Sequence, residues 1–204
     1  MKTSFFLLLI IFLTLEVSHA QQVDNYRQDT TTLYQRAKGF SSDPIRSKWR
    51  QQVKQEGGAW TLYLYDKKDV LQEKISFADK SLLERKGAYA RYKDGNVKEE
   101  GRYEKGYKVG EWKRYYANKQ VAEKMTYTWD KLNGPSLSYW DNGAIKANKH
   151  YMNGLKVGEC KLFYKNGKLA LNEVYDENGK VLTGAYFDQE GKAVDLAYVM
   201  KLML

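Results

Sequence analysis

The sequence predicts an all-β protein: a continuous antiparallel meander of β-hairpin repeats, with a short N-terminal amphipathic helix. Three observations predict this fold. Aromatic residues recur with a constant step of 24 residues, turn-forming residues recur with the same step, and apolar and polar residues alternate between the turns. A fixed step of this size is typical of a repeat array, in which each unit buries its apolar residues against its neighbours.

The repeat is defined by two aromatic positions, one turn position and one aliphatic position, and each of them keeps the same step. In that order they hold Tyr92, Tyr116, Trp140 and Tyr164; Tyr103, Tyr127, Tyr151 and Tyr175; Gly95, Gly143 and Gly167; and Val97, Val121, Ile145 and Leu169. Lys119 is the one substitution at the turn position. Four positions that share one step of 24 residues do not arise by chance, so the repeat determines the predicted architecture.

The N-terminus resembles a secretory signal. Lys2 precedes an apolar run from Phe5 to Leu15, and the small residues Ser18 and Ala20 follow it. This order predicts a signal peptide over residues 1–20, cleaved after Ala20. The apolar run is shorter than the roughly 20 residues that a membrane-spanning helix needs, although an uncleaved anchor is the alternative. We expect the mature chain to be exported, to the periplasm, the outer membrane or the medium.

Charge points to acidic partners. The chain has 34 basic and 25 acidic residues and a net charge of +9, which removal of residues 1–20 leaves unchanged. This excess favours another protein with an acidic surface, or an acidic envelope component such as phospholipid head groups or anionic polysaccharide, with only peripheral membrane contact. Export makes nucleic acid an unexpected partner. A single cysteine excludes an internal disulfide framework, so packing and sheet hydrogen bonds must supply the stability.

Residues 21–57 are predicted to form a polar lead-in and the N-terminal helix. Asp43 and Pro44 suit the cap and the first position of a helix. Ile45, Trp49 and Val53 then lie four residues apart, which places an apolar stripe on one face of a helix from Ile45 to Gln55. Such a helix is expected to cover the first exposed sheet edge.

The rest of the chain divides into three predicted segments. Residues 58–86 form a degenerate first repeat with an insertion around residues 78–83, residues 87–191 form the regular array, and residues 192–204 form a capping strand. Two turn signals per unit, such as Asp94-Gly95 and Lys105-Gly106, make each unit a β-hairpin. Alternation along the second strand of each unit predicts an apolar face that carries Val121 and Tyr127, and an opposite, charged face.

The turn and aromatic pattern resembles the MORN repeat in its bacterial variant form. The residues that carry the resemblance are Tyr103-x-x-Gly106-x-Lys108-x-Gly110-x-Trp112 and Tyr151-x-x-Gly154-x-Lys156-x-Gly158. The resemblance implies an elongated, twisted, single-layer antiparallel sheet of stacked β-hairpin repeats that serves as a scaffold or adaptor. It also implies association with membranes and acidic phospholipids, as in eukaryotic members, or an antitoxin-like role, as in some bacterial ones. The predicted signal peptide argues against the antitoxin-like role.

Three residues or segments depart from the family pattern. Lys119 replaces the turn glycine, Asp130 stands where a glycine is expected after Trp129, and the turn from Asp176 to Gly179 is lengthened. These departures concern the geometry of single turns rather than the fold.

Two sets of residues could form a binding surface. The first is a basic row, for which a solvated face is the alternative interpretation: Lys98, Arg102, Lys124, Lys146 and His150. The second is an aromatic set that could stack on sugars or hold a partner peptide, for which cross-strand packing is the alternative: Tyr89, Tyr115, Tyr139 and Phe163.

No catalytic constellation stands out in the mature sequence. His150 is its only histidine, and Cys160 occupies the repeat position of Trp112 and Ser136, where a small packing residue fits. No metal or cofactor is predicted. We therefore expect a non-enzymatic exported scaffold or adaptor that binds a protein or an anionic envelope component. The alternative is a carbohydrate or cell-wall binding module that uses the aromatic set, and an antitoxin-like protein is the remaining hypothesis.

Overall fold

The computed structural model describes residues 32–36, 39–41 and 49–203, with side chains from Trp49 onward. The predicted signal peptide and residues 21–31 of the predicted lead-in lie outside these residues, whereas residues 32–36 and 39–41, also assigned to the lead-in, form two short strands. The chain divides into two compact units after Gly87. Each unit is built on an open antiparallel sheet whose strands follow one another as hairpins, so the predicted all-β meander is confirmed.

The first unit contains five strands in the order β2-β1-β3-β4-β5. Their bounds are β1 (Thr32–Arg36), β2 (Gly39–Ser41), β3 (Trp49–Glu56), β4 (Ala59–Asp66) and β5 (Leu71–Phe77). Val53 lies opposite Leu62, and Leu62 lies opposite Ile75. All three side chains are buried, so this cross-strand row forms the apolar centre of the unit.

The predicted N-terminal helix is wrong wherever the chain is described: residues 49–56 form β3, and residues 45–48 lie outside the described part. Gln51 and Val53 are both buried, a step of two residues that belongs to a strand. The spacing of Trp49 and Val53 fits both a helix and a strand, because four is a multiple of two. Pairing of the whole of β3 with β4 decides between them.

The second unit is a meander of ten strands, of which β12 is a short addition to β11. Their bounds are β6 (Arg85–Lys93, which begins before the division), β7 (Asn96–Glu104), β8 (Tyr107–Tyr115), β9 (Val121–Thr128), β10 (Lys131–Tyr139), β11 (Ile145–Met152), β12 (Leu155–Lys156), β13 (Gly158–Phe163), β14 (Leu169–Tyr175) and β15 (Val181–Tyr186). The strand pairs β7–β8, β8–β9, β9–β10, β10–β11, β13–β14 and β14–β15 are antiparallel, as a meander of hairpins requires.

A recurring β-bulge makes the predicted apolar face of the second strand partly wrong. Arg114 pairs with Glu123, but the next residue, Tyr115, pairs with Val121, so one extra residue of β9 lies between the two pairs. The same shift places Ile145 opposite Tyr139 and Leu169 opposite Phe163. Because each bulge interrupts the alternation, Val121 does not share the face of Tyr127 as predicted.

Side chains of the repeat motif tie successive hairpins together. Tyr116 Oη, Trp140 Nε1 and Tyr164 Oη each donate a hydrogen bond to the main-chain carbonyl 23 residues further on, at 2.6, 3.0 and 2.8 Å. In the turns beside them, three asparagine amides make the corresponding bond, also across 23 residues: Asn118, Asn142 and Asn166. These bonds explain why a polar aromatic residue recurs at the first repeat position.

The C-terminal segment is a helix, α1 (Leu196–Met203), so the predicted capping strand over residues 192–204 is wrong. Asp195 caps the helix, since its carboxylate accepts a hydrogen bond from the Tyr198 amide at 2.8 Å. Val199 is fully buried against Tyr164, Ala170 and Leu171. The segment covers the last repeats, but as a helix it does so with an apolar stripe instead of a strand.

The turn at Lys119 offers a test of the repeat geometry. Lys119 adopts a left-handed φ of 68°, and Gly143, at the equivalent position, has a φ of 85°. A side chain in this region costs about 1 kcal/mol relative to glycine. We therefore expect Lys119→Gly to raise the free energy of unfolding by about 1 kcal/mol in chemical denaturation. Gly143→Lys should lower it by a similar amount; a stabilising Gly143→Lys would contradict the assignment.

Candidate binding surface

One face of the second unit, here the aromatic face, carries Tyr103, Trp112, Met125 and Tyr127. Trp112 is fully buried, although it lies on a single sheet. Its ring packs against Tyr103 at a centroid distance of 5.1 Å and against Tyr127 at 6.1 Å. A Cβ atom built on Gly101 would lie 2.2 Å from the indole, so the ring rests directly on the glycine backbone. The neighbouring side chains therefore provide the cover that a second layer would give.

Cations on the aromatic face are neutralised. The buried carboxylate of Glu99 lies 3.2 Å from Arg91, 3.6 Å from Lys108 and 3.5 Å from Arg114. Arg114 also pairs with Glu123 at 2.9 Å, and the Lys108 ammonium lies 3.9 Å from the Trp112 ring centroid. These contacts give each cation a partner within the protein, so the cluster is a structural one.

The opposite face, here the lysine face, carries a row of residues paired across the strands. Its members in β7 to β11 are Glu100, Lys113, Lys124, Leu137 and Asn148. Lys113 lies directly opposite Lys124. Lys113 also pairs with Glu111 at 3.1 Å, whereas the Lys124 side chain forms no ion pair or hydrogen bond with any described residue. The lysine face thus holds a like-charge pair with one unneutralised member.

The predicted basic row is only partly one surface. Lys124 and His150 lie on the lysine face, because Lys124 pairs with Leu137 and His150 pairs with Pro135 two residues along the same strand. Arg102 lies 3.9 Å from Glu104, and Lys98 donates a hydrogen bond to the Tyr115 carbonyl at 2.8 Å. Lys146 is the extra residue of a bulge, with its ammonium 4.3 Å from the Trp140 ring centroid.

The predicted aromatic set does not form one row. Tyr89 contacts Trp112 and Tyr103, at 5.4 and 5.5 Å between ring centroids, on the aromatic face. Tyr115 faces the other way and donates a hydrogen bond to Glu100 at 2.5 Å. Burial and, secondarily, this carboxylate raise the pKa of Tyr115 to about 12, which keeps the phenol protonated as a donor.

Cross-strand packing accounts for the three members of the set that are 24 residues apart. Tyr115, Tyr139 and Phe163 lie opposite Val121, Ile145 and Leu169. None of the three aromatic side chains is fully exposed. Each therefore contributes to a pair that stabilises the sheet by roughly 0.2–1 kcal/mol.

Cys160 and His150 are not placed for joint chemistry. Cys160 is buried and lies opposite Glu173, in the row of the aromatic face, whereas His150 is on the lysine face. Burial raises the pKa of the Cys160 thiol, which disfavours the reactive thiolate. Within the described residues, no group of three or more histidine, cysteine, aspartate or glutamate side chains is placed to hold a metal ion.

A pocket of about 190 Å³ lies between the first two turns on one edge of the second unit. Its lining includes Lys93, Asp94, Lys98 and Tyr116. Asp94 stands here in place of the asparagine that bridges the later turns, and a carboxylate has no N–H to donate. The pocket is smaller than the roughly 300–1,000 Å³ of most ligand sites, so we do not assign it a ligand.

Two features of the surface were not predicted from the sequence. Glu99 lies at a position of the apolar register where a buried carboxylate is unexpected, and only the approach of Arg91, Lys108 and Arg114 explains it. Trp129 and Tyr107 form an exposed pair at the turns, with ring centroids 5.7 Å apart. The sequence signal for this pair is the Trp129-Asp130 turn, which departs from the glycine pattern.

The fold and the two faces define a β-hairpin repeat protein. Two segments, residues 108–128 and 156–171, match the family model described as the MORN repeat variant. The resemblance predicted from the sequence is therefore confirmed in these two segments of the second unit. MORN repeats are in general modules that bind proteins or membranes.

No curated protein matches the sequence. One similar solved structure is a mutant of S. aureus TarM in complex with fondaparinux, alpha-GlcNAc-glycerol and UDP, at 14% identity and a TM-score of 0.36. The match covers 54% of this chain and 21% of that one, so this chain spans about a fifth of its length. Among the described residues, no helix is long and apolar enough to cross a membrane.

Proposed function

We propose that this protein is an exported, non-catalytic repeat scaffold whose lysine face binds an acidic partner, either a protein or an anionic envelope component. The observation that carries the proposal is the pair of Lys113 and Lys124, which oppose each other across β8 and β9. Like charges directly opposite destabilise a sheet. A residue such as Lys124, which opposes a like charge and has no compensating contact among the described residues, is typical of a functional site.

Three further observations support this function. The net charge of +9 attracts acidic partners over long range. The aromatic face offers fewer cations to a partner, because Arg91, Lys108 and Arg114 form ion pairs with Glu99 or Glu123. Export rests on the N-terminal sequence, in which an apolar run and small residues follow Lys2.

Lys124→Glu separates the proposed role from a structural one. The substitution turns a repulsive cross-strand pair into an attractive one, so we expect the free energy of unfolding to rise by about 0.5–1 kcal/mol. We expect its affinity for a polyglutamate probe, for vesicles of anionic phospholipid or for an anionic polysaccharide to fall roughly tenfold at low salt. Titration calorimetry and chemical denaturation measure the two effects.

Lys192→Glu is the matched control, because it changes the net charge equally at an exposed turn residue far along the chain. It should leave both measurements nearly unchanged. Wild-type binding should also weaken steeply as salt is raised, since the contacts are exposed charges. Equal binding by Lys124→Glu and wild type, or salt-resistant binding of a neutral glycan in place of the acidic probes, would contradict the proposal.

A further inference from the structure

Four large apolar side chains are exposed along one edge of the second unit, where the turns between repeats lie. This turn-edge patch consists of Tyr107, Trp129, Met152 and Leu155, with exposed fractions of 49%, 48%, 43% and 48%. Tyr107 and Trp129 meet edge to face, with an angle of 82° between the rings. Nearly half of each side chain therefore faces solvent even though the two aromatic rings contact each other.

Hydrogen bonds between successive turns bring the patch residues onto one edge. The Asp130 amide donates to the Lys108 carbonyl at 3.1 Å, and the Asp130 carboxylate accepts from the Lys108 amide at 2.7 Å. The Gly154 amide donates to the Leu132 carbonyl at 2.8 Å, which ties the next turn to the preceding strand. Three successive turns are thus stacked, and the patch continues from one to the next.

The backbone at Trp129 is strained. Trp129 has a φ of 49° and Asp130 a φ of 65°, in a two-residue turn whose equivalents hold Lys105-Gly106 and Asn153-Gly154. A bulky side chain at positive φ is unfavourable by about 1–2 kcal/mol. The hydrogen bonds between Asp130 and Lys108 offset the conformational cost at Asp130. The Trp129 side chain is only half buried, so its burial offsets little of the cost at Trp129. Strain of this kind is typical of residues kept for function.

We propose that the turn-edge patch docks an acidic segment of a partner protein through that segment's apolar side chains. Lys105 and Lys131 flank the patch, are exposed, and form no side-chain ion pair or hydrogen bond with any described residue. They complement acidic groups on the segment. Met152 and Leu155 extend the apolar surface beyond the rings, and methionine adapts to irregular apolar partners.

The geometry favours a peptide over a sugar chain. The rings of Tyr107 and Trp129 are nearly perpendicular, so they form a corner that can hold one apolar side chain rather than a flat platform for stacked sugar rings. Exposed aromatic residues that fill such a role contribute a large share of the energy of protein interfaces. The patch lies at the turns, whereas Lys113 and Lys124 lie within strands β8 and β9, and it would bind through apolar contacts, so the inference goes beyond the proposed function.

Trp129→Asn tests the inference, because asparagine occupies the same turn position at residue 153 and tolerates positive φ. The probe is a random-peptide display library selected on the wild-type protein and counter-selected on Trp129→Asn. We expect peptides that combine aliphatic or aromatic residues with Asp or Glu. Each should bind Trp129→Asn about tenfold or more weakly than wild type, while this variant unfolds at a higher denaturant concentration.

Lys105→Asn is the matched control, since it changes the equivalent turn position, with a φ of 49°, without removing an aromatic ring. It should reduce the affinity of the selected peptides far less than Trp129→Asn does. A destabilised Trp129→Asn variant would show a structural role and overturn the inference. Peptides that bind wild type and Trp129→Asn equally, no enrichment at all, or a Trp129-dependent response to lipid vesicles alone would overturn it as well.

Discussion

Gly101→Ala is expected to destabilise the second unit by about 3 kcal/mol or more. The new methyl group would lie 2.2–2.7 Å from the nearest atoms of the Trp112 indole, far inside van der Waals contact. Tyr89, Tyr103 and Tyr127 surround that ring, so it has no free direction in which to move. Chemical denaturation with Trp fluorescence measures the loss of stability and the exposure of the indole.

Gly184→Ala is the control for this result. Its new methyl group would lie 2.4 Å from the Tyr186 hydroxyl, a similarly short distance, but the hydroxyl is the far end of a partly buried side chain, which can move away at the cost of its hydrogen bond to Glu173. We expect a loss of about 1 kcal/mol there, well below that of Gly101→Ala. A double variant, Gly101→Ala with Trp112→Leu, should lose less than the sum of the two single losses, because the clash is removed with the indole. Additive losses would contradict the assigned contact.

Val199→Asp is expected to undock the C-terminal helix. It should lower the free energy of unfolding by about 3–5 kcal/mol, or by the whole docking energy of the helix if that is smaller. Val199 is fully buried in the cluster of Tyr164, Ala170 and Leu171, and no basic group is part of that cluster. Hydrogen exchange should show faster exchange in α1 while strands β7 to β10 stay protected.

Met200→Asp is the control, because the Met200 side chain is 46% exposed on the same helix. It should leave exchange in α1 close to the wild-type rate. If Val199→Asp leaves α1 protected, the helix is held by contacts other than those of Val199. If exchange instead accelerates in all strands of the second unit, the helix is required for the folding of the array rather than as a cover of its last repeats.

Much of the candidate surface could be found from the sequence, but its use could not. The 24-residue step located the hairpins, and simple alternation placed Lys124 and His150 on one face correctly. The bulge beside Tyr115 then changed the face of Val121, which alternation alone cannot show. Coordinates were also needed to tell which cations are neutralised, because Glu99 meets Arg91 from one neighbouring strand and Lys108 and Arg114 from the other.

Segments outside the regular repeat were the least predictable. The apolar spacing of Trp49 and Val53 fits either a helix or a strand, and pairing with β4 selected the strand. The short apolar sequence from Leu196 to Met203 is equally ambiguous, and burial of Val199 beneath a helix resolved it. Short segments of this kind take their secondary structure from the surface that they cover.

The sequence by itself determined the repeat, the hairpin unit and the basic character of the protein, since turn residues and alternation act over a few neighbouring positions. Only the tertiary structure decided which charged side chains lack an ion-pair partner and which aromatic side chains are exposed. Those properties depend on contacts between strands, such as that of Trp112 with Gly101 or of Lys113 with Lys124. The physical reason is that local propensity sets each hairpin, whereas register and bulges between hairpins set what each side chain meets.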